Sequence, residues 1–138
     1  MWGKMRYFTI TEFDSPDEVG SGRLMNVDFL EKLDLARSKF DKPIKINSGM
    51  RTSTHNAKVG GKPNSSHLTG YAADLHCNNS RDRYDLINCL LDVGFNRIGV
   101  GNTFIHVDSD PSKSFILFLS STLSPGRSEP SGRRYNLW

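Results

Sequence analysis

Apolar positions fall into register first at Val27, Leu30, Leu33, Ala36 and Phe40. That helical spacing predicts an amphipathic helix from an Asn26 cap to about residue 41. Glu31, Lys32, Asp34, Arg37 and Lys39 fill its solvated face. Pro43 ends any helix, and Ile44–Ser48 alternates as a strand, with Gly49-Met50-Arg51 placing Arg51 at or just past its end. Residues 52–66 are polar, with Gly60, Gly61, Pro63 and Asn64, and predict an ordered but irregular loop. Tyr71–Cys77 reads as a second strand. Ser80 is expected to cap a second helix with Tyr84, Ile87, Leu90 and Leu91 as its buried stripe, stopping at Gly94. Arg97–Val100 and Thr103–Asp108 predict two strands joined around Gly101-Asn102, and the apolar run Phe115–Leu119 an edge or final strand. Before the first helix, Tyr7, Phe8, Ile10 and Phe13 are interspersed with turn formers, and Thr11–Phe13 predicts one helical turn. The order implies an α+β domain with a small, largely antiparallel sheet and flanking helices.

Composition narrows the class. A chain of 138 residues with 36% hydrophobic and 24% charged positions suits one soluble globular domain. After Leu119 the chain turns to Ser, Pro, Gly and Arg, so we expect a domain over residues 1–119 and a mobile polar tail over 120–138. The net charge of +3 favours an anionic polymer without demanding one. Basic residues are scattered apart from Arg127, Arg133 and Arg134, and no aromatic-basic stripe suggests nucleic-acid binding. Cys77 and Cys89 form no CxxC pair and read as buried thiols. No apolar segment reaches bilayer length, so no membrane insertion is expected. The first residues lack the apolar run of a secretory signal, which predicts synthesis in the cytoplasm. A monomer is expected.

Candidate chemistry gathers in Asn64–His76 and in Phe104–Asp108. His67 and Asp74 flank Gly70, and small residues at 70, 72 and 73 keep bulk from the backbone between them. Alternation puts Asp74 and His76 on one strand face, so either could be a ligand; His106 and Asp108 likewise share a face. If the second strand pairs beside the hairpin, His67, Asp74 and His106 can converge. Two histidines and a carboxylate are what a catalytic zinc commonly takes from a protein. Zinc so held would make water more acidic and polarise a carbonyl, the two requirements of amide hydrolysis. Spacing leaves a packing role for these histidines open as well, and His55 and His76 taken singly read as packing or surface residues. Arg51 could bind a carboxylate or a developing oxyanion. No GxSxG elbow, HExxH helix, P-loop or GxGxxG is present.

Ser65-x-His67-x-x-Gly70-x-Ala72-x-Asp74 resembles the SxHxxGxAxD motif of the zinc D,D-peptidase family, which includes D-Ala-D-Ala carboxypeptidases, dipeptidases and L-alanyl-D-glutamate endolysins of phages. Ser48-Gly49-Met50-Arg51 resembles that family's SGYR segment, Asn56 and Val59-Gly60-Gly61 continue the match, and Phe104–Asp108 resembles its FIHVD strand. The likeness spans residues 7–111 and implies a hedgehog/D,D-peptidase-like fold. It also implies Zn2+ held by His67, Asp74 and His106, Arg51 on the substrate or the tetrahedral intermediate, and Ser65 lining the substrate site. The family's acidic general base, three residues before the last histidine, is replaced here by Thr103. Asp108 is our substitute base, with orientation of His106 as its other possible role. Residues 115–138 also depart from the family, which puts cleft walls supplied by the C-terminus in doubt.

The expected function is therefore a zinc metallopeptidase that cuts an amide bond in the peptidoglycan stem peptide, as a D,D-carboxypeptidase or an L-Ala-D-Glu endopeptidase. It would act at the cell wall, and a phage lysis enzyme released by a partner pore fits the missing signal. The alternative is a non-catalytic zinc module that recognises peptidoglycan or a protein partner.

Overall fold

The computed structural model describes residues 5–119 of the chain; the expected tail over 120–138 lies outside them. Five strands form one sheet: β1 (Ile46–Ser48), β2 (Ala72–His76), β3 (Arg97–Val100), β4 (Phe104–Asp108) and β5 (Ile116–Leu119). Their order is β1-β2-β4-β3-β5. Neighbours among the first four pair antiparallel, and β5 runs parallel to β3 at the edge. The helices are α1 (Val27–Phe40), α2 (Ser53–Lys58) and α3 (Ser80–Asp92). The α+β expectation, with its small and largely antiparallel sheet, agrees with this architecture.

Strand alternation separates the two faces. Ala73 and Leu75 of β2, Ile105 and Val107 of β4 and Ile98 of β3 are buried in one core with Phe29, Leu30 and Leu33 of α1 and Leu86 and Leu90 of α3. Phe29 and Phe95 meet edge-on with ring centroids 5.5 Å apart. The intervening residues (Ala72, Asp74 and His76 on β2; Phe104, His106 and Asp108 on β4) are thereby left to the opposite face. The candidate chemistry stands on that face.

Several elements differ from the sequence expectation, each for a local reason. α1 starts as expected, with Asn26 Oδ1 accepting the Phe29 N–H at 2.9 Å. Asp34 is buried rather than solvated, because it accepts the backbone N–H groups of Arg6 and Tyr7 at 3.0 and 2.9 Å and so seats the N-terminal segment on α1. A second 3-10 turn at Ser21–Leu24 follows the expected one at Ile10–Phe13. β1 begins two residues later than expected, at Ile46, and its register against β2 shifts between Ile46 and Ser48. α2 replaces part of the expected loop, started by Thr52 Oγ1 accepting the His55 N–H at 3.1 Å. α3 is capped by Asn79 rather than Ser80, its Oδ1 accepting the Asp82 N–H at 2.8 Å. Its buried face is Leu86 and Leu90, whereas Tyr84 and Leu91 are 68% and 48% exposed. Cys77 is buried and Cys89 half-buried, both as free thiols. No helix among the described residues is long and apolar enough to cross a membrane.

Gly70 joins the site to this frame. It has φ +81°, and a Cβ there would lie 2.5 Å from the Leu24 carbonyl oxygen. Its own carbonyl accepts the Asn26 N–H at 2.9 Å, fixing the start of α1 against the turn that carries His67. Gly70→Ala combines a left-handed backbone with a clash against a main chain that cannot rotate away. It is expected to cost about 2–4 kcal/mol of stability, read as a lower denaturant midpoint with an unchanged m-value.

Candidate metal centre

His67 is aimed by its neighbours. Ser65 Oγ accepts the His67 backbone N–H at 3.3 Å and opens the 3-10 turn Ser66–Thr69, which Gly70 closes. His67 Nδ1 lies 2.8 Å from the Gly49 carbonyl oxygen, and the His67 carbonyl accepts the Arg51 N–H at 3.1 Å. The Ser48–Arg51 segment and the His67 turn are thus pinned to each other. Asp74 and His106 arrive differently: they are direct partners in the β2–β4 register.

The three side chains converge. His67 Nε2 is 3.3 Å from Asp74 Oδ1, and His106 Nδ1 is 2.8 Å from the same oxygen. One ligand atom from each residue lies within 4.8 Å of the others, all three residues being buried. The hydrogen-bond chemistry favours a cation among them. The Gly49 carbonyl can only accept, so the proton of a neutral His67 sits on Nδ1. Nε2 then presents a lone pair inside the protein, where it has no hydrogen-bond partner, and it faces a carboxylate oxygen. Burial pushes the His67 pKa down, towards the neutral, ligating form, although the Asp74 charge opposes this. Burial also works against an ionised Asp74, but His67 and His106 outweigh it and hold the carboxyl well below the usual range.

Asp108 does not stand where a general base would be useful. It is 0% exposed. Its Oδ2 lies 2.8 Å from His106 Nε2, the ring nitrogen away from Asp74, and its Oδ1 accepts from Arg97 Nε at 2.7 Å. Both oxygens are engaged, and the His106 ring separates them from the ligand atoms. Burial raises the Asp108 pKa, but the His106 bond and the Arg97 charge outweigh it and leave the group ionised. Its geometry suits orienting His106, the other role read from sequence. Ser65 is likewise held inside the protein. Expected to line a substrate cleft, it is 2% exposed and its hydroxyl shapes the His67 turn.

Arg51 follows β1 closely, and its Nη2 lies 3.3 Å from Asp74 Oδ2. His76 is exposed on the ligand-bearing face and His55 is only half-buried; neither joins the cluster. Two supporting groups escaped sequence reasoning. Arg97 looks like a surface residue until the β3–β4 register places it opposite Asp108. Ser66 accepts from Lys113 Nζ at 2.8 Å and donates to Asp110 Oδ2 at 2.7 Å, tying the chain after β4 to the His67 turn.

A family model described as Peptidase M15 matches residues 6–108. A 35-residue stretch, 25% of this chain, is 57% identical to the zinc D-Ala-D-Ala carboxypeptidase of Streptomyces albus G. That stretch spans 14% of the relative's length.

Proposed function

Because the chain belongs to the Peptidase M15 family, we propose that it is a zinc-dependent peptidase that hydrolyses an amide bond of the peptidoglycan stem peptide. The scissile bond is D-Ala-D-Ala for a carboxypeptidase or L-Ala-D-Glu for an endopeptidase. The observation that carries this reading is the buried, unpartnered His67 Nε2 turned towards Asp74 Oδ1 beside His106 Nδ1. His67, Asp74 and His106 would hold the metal, and three protein ligands suit a catalytic rather than a closed structural site. A zinc ion held there would supply Lewis acidity towards an amide carbonyl and lower the pKa of water.

The protein's own groups do the rest. The Gly49 carbonyl keeps the His67 proton on Nδ1. Asp108 keeps the His106 proton on Nε2, leaving Nδ1 for the ligand position, and Arg97 keeps Asp108 ionised. Arg51, beside Asp74 Oδ2, would hold an anionic oxygen of substrate or intermediate. All of these groups come from one chain, so a monomer suffices, and a wall substrate places the work at the cell wall. The test is digestion of purified peptidoglycan with and without a chelator, followed by mass spectrometry of the fragments. A zinc-dependent product identifies the bond; no product from any stem peptide would defeat the reading.

Asp108→Asn separates its two roles. As a group that orients His106, it is expected to weaken zinc binding by about 10- to 100-fold in chelator competition. A general base would instead lose turnover at full zinc affinity.

One observation favours a second reading, a zinc-containing module that recognises peptidoglycan or a protein partner without cutting. Asp108 is committed to His106 and Arg97, and Thr103 carries no carboxylate. Full zinc content with binding but no turnover would select it.

A further inference from the structure

The Arg51 guanidinium is held at three points. Nε donates to Ser48 Oγ at 3.1 Å, Nη1 to Asn56 Oδ1 at 3.2 Å, and Nη2 to Asp74 Oδ2 at 3.3 Å. A guanidinium has five N–H groups, so one hydrogen on each terminal nitrogen remains for an anion. Where that pair points depends on the three acceptors that hold the others. Ser48 and Asp74 belong to paired strands of the sheet. Asn56 belongs to the six-residue α2, whose one buried residue it is.

Burying an amide is costly unless every polar group finds a partner. Asn56 meets that condition by joining Arg51 to the chain that returns after α2. Its Oδ1 accepts from Arg51, and its Nδ2 donates to the Lys62 carbonyl at 2.8 Å. Its own carbonyl accepts the Gly61 N–H at 2.8 Å. Gly61 leaves the space this requires. A Cβ there would lie 2.0 Å from Asn56 Oδ1 and 3.1 Å from Arg51 Nη1. Any side chain at 61 would enter the contact between the amide and the guanidinium.

We infer that Asn56 is the positioning residue for Arg51, fixing which of its N–H groups face the substrate, and that Gly61 is glycine to leave this contact room. The inference rests on the reading of Arg51 as the group that holds an anionic oxygen. Asn56 acts through Arg51 alone.

The test combines steady-state kinetics on the cleaved stem peptide with 15N spectra of the arginine side chains in the full-length protein. Asn56→Ala should keep its zinc and lose about 10- to 100-fold in kcat/KM, as expected when a catalytic group is displaced by a fraction of an ångström or more. The same substitution in an Arg51→Ala background should cause no further loss. The Arg51 Nη signals, resolved in the wild type because rotation about the Nε–Cζ bond is hindered, should merge in Asn56→Ala. They should return in Asn56→Asp, which keeps an acceptor at Arg51 although it turns an oxygen, in place of the amide donor, towards the Lys62 carbonyl. Independent, multiplicative losses in the double variant would overturn the inference. So would Arg51 signals that stay resolved in Asn56→Ala, since Asn56 would then merely hold the loop. If Arg51→Ala itself cuts at the wild-type rate, the functional reading of Arg51 fails, while the spectra still decide whether Asn56 orients the guanidinium.

Discussion

His67→Ala is expected to abolish both zinc retention and peptide cleavage while leaving the fold intact. Structural zinc sites are worth about 10–16 kcal/mol over four ligands, so one ligand carries about 3 kcal/mol, roughly 10²-fold or more in affinity. His67 supplies the atom with no hydrogen-bond partner, Nε2, and its loss leaves Asp74 Oδ1 and His106 Nδ1 2.8 Å apart; without a metal, Asp108 and Asp74 outweigh burial and favour a second proton on His106, which Nδ1 donates to Asp74. Two ligands that can pair together make a poor trap for a cation. The fold should survive because the metal-free wild type has an unfavourable contact here, a buried lone pair facing a carboxylate oxygen, which alanine removes. Thermal melts with and without zinc read this directly: added zinc should raise the wild-type Tm and leave that of His67→Ala unmoved. His76→Ala is the matched control, since His76 lies on the same strand face as Asp74 but outside the cluster. Its zinc stoichiometry should equal that of the wild type. A His67→Ala protein that keeps zinc through dialysis against a chelator, or still cuts the wall peptide, would refute the proposed centre.

What sequence could reveal about this centre follows from how each group is specified. α1 was legible because its apolar positions keep helical spacing over four turns and Asn26 precedes them. β2 and β4 were legible because each alternates around a glycine or small-residue boundary. Once the two strands are neighbours, the facing of Asp74 and His106 depends only on register. The supporting residues depend on partners distant in sequence, which no local pattern encodes. Arg97 pairs with Asp108 across a hairpin, Asp34 receives N–H groups 27 and 28 residues away, and Ser66 meets Lys113 47 residues on. The same limit applies to Asp108. Alternation correctly put it on the face of His106, but only the ring orientation shows that it reaches the far nitrogen. In α3, alternative apolar stripes were available to the pattern. Packing against α1 selects Leu86 and Leu90 and leaves Tyr84 and Leu91 outside.

Arg51→Ala is expected to retain zinc and to lose about 10²–10³-fold in kcat/KM, the usual consequence of removing one donor aimed at a developing anion. Zinc should remain because the Arg51 guanidinium meets the three proposed ligand side chains only at Asp74 Oδ2, whereas the oxygen facing His67 and His106 is Oδ1. Some stability should go with it, about 1–3 kcal/mol, because a buried carboxylate oxygen loses its donor. The kinetic split tells what Arg51 binds. A loss confined to KM means it holds a carboxylate equally in ground and transition states; a loss in kcat means its bond strengthens as the carbonyl oxygen becomes anionic. Arg51→Lys is the sharper variant. A lysine restores the positive charge but cannot reach Ser48, Asn56 and Asp74 at once while still offering two parallel donors. If charge alone mattered, lysine would recover most of the activity. Because the guanidinium is fixed by three acceptors on three different elements, direction is the property this site supports, and Arg51→Lys should stay within about tenfold of the alanine variant. Near-wild-type turnover in Arg51→Lys would reduce the arginine to a general positive field, and with it the role of the three acceptors that hold it.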